Sequence, residues 1–303
     1  MLEWVKKPLI GTGSAYEGKP VLNDISSDIY NDGLASVAKS ESGEIMAVWT
    51  KALADSKLGT KIYTTTYTGE GWSSPSEITP RIDFHKDPYL VFDSSGKPMT
   101  VWSSASIEWL SYEESSIEEI LKGIDQTDIL YSQRIEGKWT VPKIVAKLPG
   151  SDEQVNLAAG PHGEIAAVWI NQSVNGSSLY GSLWNGERWA EPVCIAKAAL
   201  AETPIVIYRG KMPSAIWAQD KDGQVNTSYD WGLYLSRWDG TSWQSQPLSL
   251  AEQKTLTEQN TLAEQNALAE QKILTKLQTR ADEQKAKYEN FRKSGRRKRF
   301  PYR

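Results

Sequence analysis

The side chains able to do chemistry are few and scattered. Asp83-Phe84-His85-Lys86-Asp87 alternates potential metal ligands along one strand face. Only two histidines occur in the chain, so the segment is expected to be a solvated strand edge without a transition metal. Asp220-Lys221-Asp222-Gly223 begins like a calcium loop but lacks the Glu that such loops place at position twelve. The single cysteine, Cys194, excludes an intramolecular disulfide and any multi-cysteine zinc cluster, and is expected to pack as an apolar residue. His162 stands at a turn position held elsewhere by Ser42 and Ser95. No phosphate loop, nucleophile elbow or zinc signature is present, and neither metal nor cofactor is expected. Four loop aromatics, Trp109, Tyr112, Tyr229 and Trp231, are the candidate ligand- or partner-binding residues.

The remaining chemistry is electrostatic. The formal net charge of −4 hides two regimes. Residues 1–249 carry 21 Lys+Arg against 31 Asp+Glu, a balance of −10; residues 250–303 carry 13 against 7, a balance of +6. That change of sign marks a domain boundary near residue 249. Ser249-Leu250-Ala251-Glu252 is a capping box, and no Pro or Gly follows until Gly295, so a long helix is expected over 250–293. Its leucines recur every six residues (Leu250, Leu256, Leu262, Leu268, Leu274), which spreads them over three stripes and disfavours a two-stranded coiled coil. Residues 294–303 form a basic tail. Arg292, Lys293, Arg296, Arg297, Lys298 and Arg299 are its candidate anchors for nucleic acid, anionic lipid or an acidic protein. No apolar run reaches the length of a membrane-spanning helix. Met1-Leu2-Glu3-Trp4 lacks the basic-then-apolar order of a secretory signal, and the chain is expected to be cytoplasmic.

What must position any site is an internal repeat. Gly43–Trp49, Gly96–Trp102, Gly163–Trp169 and Gly210–Trp217 each run from a turn glycine into Val/Ile-Trp. Tyr63, Tyr131, Tyr180 and Tyr234 follow, each six residues before Gly69, Gly137, Gly186 and Gly240. Trp72, Trp139, Trp189 and Trp243 come next, and then Pro75, Pro142, Pro192 and Pro247. Each unit of about 50 residues reads as four short antiparallel strands, the description of a propeller blade. The recurring indoles are expected to be plates between stacked sheets. Trp4-Val-Lys-Lys-Pro8 matches the last strand of a unit that has no earlier strands. Unit two carries an insertion at 103–127, with a capping-box start at Ser115-Ser116 and a Gly123 stop that predict a short helix.

The units resemble the blades of sialidase-like and lectin-like β-propellers, over roughly Trp4 to Leu248. The resemblance implies a mainly β fold: a small β-propeller of four to five four-stranded blades, followed by the long C-terminal helix. Sialidases of that kind use an arginine cluster and a Tyr/Glu pair. The propeller part here offers only Arg81, Arg134, Arg188, Arg209 and Arg237, and Asp93-Ser94-Ser95-Gly96 does not match the family's Asp-box spacing. The expectation is therefore a non-catalytic binding or assembly module and not an enzyme. Its propeller loops would hold a protein partner, its helix and tail would anchor to another protein or an anionic surface, and a homo-oligomer or a larger assembly is admitted. The alternative is a glycan-binding lectin or a sialidase-like glycan hydrolase.

Overall fold

The structure is a computed structural model. It describes residues 33–248, apart from 34, 54–58, 70, 108–115, 125, 174–175, 199 and 221–230. By its contacts the chain divides into one unit over Met1–Pro247 and another over Leu248–Arg303, and the first is described below. The helix expected over 250–293, the tail with Arg292, Lys293, Arg296, Arg297, Lys298 and Arg299, and the loop aromatics Trp109, Tyr112 and Tyr229 lie outside the described residues.

Each repeat folds into one antiparallel sheet whose strands follow chain order. Blade 1 is β1 (Ser36–Lys39), β2 (Ile45–Ala52), β3 (Thr60–Tyr67) and β4 (Ser76–Glu77). Blade 2 is β5 (Phe84–Phe92), β6 (Pro98–Ala105), β7 (Asp128–Ile135), β8 (Lys138–Trp139) and β9 (Lys143–Ala146), the last two both pairing with β7. Blade 3 is β10 (Ser151–Ala159), β11 (Ile165–Ser173), β12 (Gly176–Trp184) and β13 (Val193–Ala198). Blade 4 is β14 (Ala201–Arg209), β15 (Met212–Gln219), β16 (Gly232–Trp238) and β17 (Trp243–Pro247). Mainly β, with four meandering sheets, this is a propeller-type architecture.

Apolar alternation on both faces of the second strand holds the blades together. Met46, Val48 and Ile62 of blade 1 meet Leu90, Phe92 and Trp102 of blade 2. Met99, Val101 and Ile129 of blade 2 meet Leu157, Ile165, Ala167 and Trp169 of blade 3. Ala166, Val168 and Leu179 of blade 3 meet Val206, Ala215 and Trp217 of blade 4. Trp102, Trp169 and Trp217 are fully buried between blades. Each contributes on the order of 5 kcal/mol by the area it removes from water. The outer indoles pack across blades too: Trp184 and Trp189 set their edges against Tyr131 of the preceding blade.

Side chains close two of the turns between outer strands. Only the glycines of Asn185-Gly186 and Asp239-Gly240 take the left-handed conformation. Asn185 Oδ1 instead accepts the Glu187 and Arg188 amides, and Asp239 Oδ1 those of Thr241 and Ser242, so each side chain closes its own turn. Gly160 serves packing: a Cβ there would fall 2.7 Å from the Tyr208 ring of blade 4.

The insertion of blade 2 contains α1 (Ile117–Ile124). Its capping box is reciprocal. The Glu119 amide donates to Ser116 Oγ, and Glu119 Oε2 accepts from the Ser116 amide and hydroxyl. The helix runs through Gly123, one residue beyond the expected stop.

Candidate functional site at the hub

The first strand of each blade lies innermost, and three of the four share one irregularity. The ladder slips between Lys86 and Tyr89 on β5, between Glu153 and Asn156 on β10, and between Glu202 and Ile205 on β14. Within each slip one non-glycine residue is left-handed: Asp87 (φ 52°), Gln154 (φ 52°) and Thr203 (φ 54°). The register is the same in all three, because the next paired residue faces the one just before the repeat Trp: Val101, Val168 or Ile216. A β-bulge re-aims side chains, and left-handed Asp, Gln and Thr are costly, so three matched copies point to a positioned set of groups.

That set is polar and joined across blades. Lys86 Nζ of blade 2 lies 2.9 Å from Glu153 Oε1 of blade 3, and the Ser151 hydroxyl donates to the same oxygen at 2.7 Å. Gln154 Oε1 accepts the Thr203 amide of blade 4 at 2.8 Å. Asp87, Gln154, Glu202 and Thr203 are exposed, while Lys86 and Glu153 are half-buried. The carboxyl of Asp87 looks onto open space yet is crowded by protein, and this desolvation pushes its pKa up; Lys86 opposes the shift and Glu153 adds to it. Lys86, Asp87, Glu153 and Glu202 together carry a net negative charge.

One residue upstream of each bulge, the repeat Trp is latched. Trp102 Nε1 donates to His85 Nδ1 at 3.1 Å, and Trp169 Nε1 to Asp152 Oδ1 at 2.9 Å. Ala201 holds that rung in blade 4, and Trp217 Nε1 turns to Gln219 Oε1 at 3.2 Å. Asp152 also accepts Asn171 Nδ2 and the Leu148 amide. Burial pushes the Asp152 pKa up to about 6 against those hydrogen bonds, and burial holds His85 down at about 4. A hydroxyl from the preceding blade fastens each rung. Thr60 Oγ1 takes the His85 amide and donates to its carbonyl, Thr127 Oγ1 donates to the Asp152 carbonyl, and Ser177 Oγ accepts the Ala201 amide.

The insertion ends on this same tier. The Ile107 amide donates to Asp83 Oδ1, just ahead of β5. Thr127 accepts the Asp152 amide on its carbonyl and bonds Ser151 Oγ at 2.8 Å. A cavity of about 300 Å³ lies at the other end of the hub, against Lys39, Phe92, Asp93, Pro161 and Tyr208. Phe92 is five residues beyond Asp87, about 17 Å at strand rise. Its one buried carboxylate, Asp93, is spent on its own turn, accepting from the Ser95 amide and hydroxyl and the Lys97 amide. The carboxyls with raised pKa, Asp87 and Asp152, lie at the bulge end.

Several expectations change here. The Asp83–Asp87 segment is no solvated edge: His85 is buried and Lys86 and Asp87 stand at the hub. Trp231, half-buried, sits three residues before Tyr234, the register of Thr60 before Tyr63 and of Ser177 before Tyr180. Arg134 pairs with Glu44 of blade 1 at 3.1 Å and so joins blades. Cys194 is half-buried on β13, and His162 is exposed in the turn after β10. Among the described residues no group of three His, Cys, Asp or Glu is placed to hold a metal ion; Asp222 lies outside them. Sequence reading missed the bulge set. Its one local trace is a polar pair ahead of Pro88, Val155 and Pro204.

No family model matches the chain, and no curated protein matches it in sequence. Solved structures match in fold. A protein of unknown function from Dyadobacter fermentans is 14% identical over 73% of this chain and 70% of that chain, with a TM-score of 0.50. The GH93 alpha-L-arabinofuranosidase of Fusarium graminearum, in complex with arabinobiose, is 13% identical over 72% and 67%, at 0.47. Penicillium chrysogenum alpha-L-arabinanase, complexed with arabinobiose, is 16% identical over 71% and 65%, at 0.43. At these identities the likeness shows the fold alone, a β-propeller type. The expectation of a non-catalytic assembly module, and of a chain that is not an enzyme, is nevertheless corrected. It rested on a wheel without chemistry at its hub. The hub instead carries the carboxyls of Asp87 and Glu153, close enough for the charge of Glu153 to raise the Asp87 pKa.

Proposed function

We propose that the chain is a carbohydrate-active propeller that takes a neutral glycan at the bulge end of its hub and cleaves it with Asp87 and Glu153. The supporting observation is the contrast between two carboxyls on neighbouring inner strands. Desolvation raises the Asp87 pKa, while Glu153 Oε1 is bonded by Lys86 Nζ and by the Ser151 hydroxyl. Glycoside cleavage needs such a pair: an acid that protonates the leaving oxygen and a carboxylate facing the positive charge that develops on the sugar ring. Asp87 takes the first role and Glu153 the second, with Gln154, Glu202 and Thr203 as hydrogen-bonding groups around the ring. The negative hub disfavours sialic and uronic acids, and Lys86 is engaged by Glu153.

Hydrolysis of 4-nitrophenyl α-L-arabinofuranoside, linear arabinan and 3′-sialyllactose tests the reading. Turnover of a neutral substrate is expected, falling by about 10²–10⁴ in Asp87→Asn and Glu153→Gln. Glycan binding by calorimetry should persist in both variants. Binding without turnover in the wild type would make the chain a lectin, and preference for 3′-sialyllactose would overturn the neutral-glycan assignment.

A further inference from the structure

Three junctions between blades are alike, and the fourth is open among the described residues. At each closed junction an apolar residue of the inner strand packs under the second strand of the preceding blade. Leu90, Leu157 and Val206 are 2%, 3% and 3% exposed, and Val48, Val101 and Val168 opposite them are fully buried. The matching residue of blade 1, Val37, is 47% exposed. On blade 4, Ile216 is only half-buried, and Leu233 is 42% exposed where Leu179 of blade 3 is fully covered. Ile205 is 46% exposed beside them, at the position from which Asn156 reaches the next inner strand by accepting the Val206 amide. The hydroxyl clamp also ends here, because Trp231 stands where Thr60 and Ser177 fasten the following blade. Trp49 and Ala47 share the Val37 face of blade 1 and are buried, although none of the three inter-blade clusters includes them.

We propose that the open side between blade 4 and blade 1 is a docking surface for the chain's own first 32 residues, entered through the Trp4–Pro8 stretch. The connection rule of the other junctions supports this occupant. A Trp–Pro stretch closes each blade, and the next inner strand begins nine residues after its proline: Pro75 to Phe84, Pro142 to Ser151 and Pro192 to Ala201. In every case the stretch belongs to the blade that packs ahead of that inner strand. Trp4-Val-Lys-Lys-Pro8 also precedes an inner strand and has the Trp–Pro spacing of blade 4, although β1 begins 28 residues after Pro8 and not nine, and the position ahead of blade 1 is the open one. The segment brings Leu9, Ile10, Val21, Leu22, Ile25 and Ile29 to a face whose unsatisfied residues are Val37, Ile205, Ile216 and Leu233. After Pro247 the sequence offers Leu, Ala, Glu and Gln without strand alternation, so the downstream segment does not fit. Residues 1–32 thereby complete the wheel as a partial fifth blade.

Photo-crosslinking of the full chain tests this. p-Benzoylphenylalanine is placed in turn at Leu233, at Val37 and, as a control remote from the open side, at Val141, and links are mapped by mass spectrometry beside light scattering. Links from Leu233 and Val37 to peptides within 1–32 of the same chain are expected, with a monomer in solution and none of these links from Val141. Trp4→Ala with Pro8→Ala should abolish most of the link yield while leaving the circular dichroism unchanged. Links between chains with a dimer, links to residues 249–303, or no link to 1–32 from either position would each overturn the proposal.

Discussion

Blades 2 and 3 are built on the same rungs, yet their latches respond to protons in opposite directions. Blade 2 receives its buried indole on His85, and blade 3 on Asp152. Both acceptors are buried one residue before a bulge and fastened by a threonine of the preceding blade. Burial disfavours the charged form of each, lowering the histidine to about 4 and raising the carboxyl to about 6. One packing solution therefore carries two electrostatic liabilities of opposite sign, and position in the repeat fixes the geometry without fixing the charge.

The strongest way to break that symmetry is Asp152→Ala. It strands three donors, Trp169 Nε1, Asn171 Nδ2 and the Leu148 amide, in a closed interface. A loss of at least about 3 kcal/mol in urea denaturation is expected. His85→Ala removes one indole acceptor and one serine contact, and should cost less than Asp152→Ala in the same assay.

Acid titration sharpens the contrast. The folded pKa of His85 lies below the unfolded value of 6.5, so its contribution is intact above 6.5 and is lost as pH falls through about 4. The shift corresponds to about 3 kcal/mol. Asp152 is raised from 3.8 to about 6, so its contribution is complete below 3.8 and is lost as pH rises through about 6, by a similar amount of about 3 kcal/mol. The two largely cancel between pH 4 and 6 in the wild type. His85→Gln should then gain stability on acidification through this window and Asp152→Asn should lose it, read from thermal midpoints in one buffer series. Parallel slopes in the two variants would remove the contrast.

Blade 4 gives the smaller effects. Its indole hydrogen bond to Gln219 is longer and only partly buried, so the hydrogen-bond part of the Trp217→Phe loss should be about 0.5–1 kcal/mol beside the cavity cost that Trp169→Phe shares, and the total should be less than for Trp169→Phe. Thr203→Gly relieves a left-handed β-branched residue and should stabilise the fold by up to about 1 kcal/mol, with weaker glycan turnover if the bulge positions the site.

Much of the wheel was legible in the chain because its signals are local. Gly43, Gly96, Gly163 and Gly210 mark turns, and the Trp that follows each of them marks a second strand. The bulge set was not legible, since a bulge is a property of pairing between strands, and here it is filled by Asp, Gln and Thr with no shared side-chain chemistry. The latch acceptors were hidden for the same reason. Nothing local distinguishes His85, Asp152 and Ala201 as occupants of one rung, and the Asp83–Asp87 segment looked solvated because its charges are conspicuous while its burial comes from neighbouring blades.

The two feet of the blade 2 insertion are tied to separate inner strands, Ile107 to Asp83 and Thr127 to Ser151 and Asp152. A stretch so moored can be exchanged for one of another length or composition without strain reaching the sheets. Divergence among descendants of such a gene should collect between those moorings, and a grafted peptide placed there would be presented beside the hub by a scaffold indifferent to its sequence.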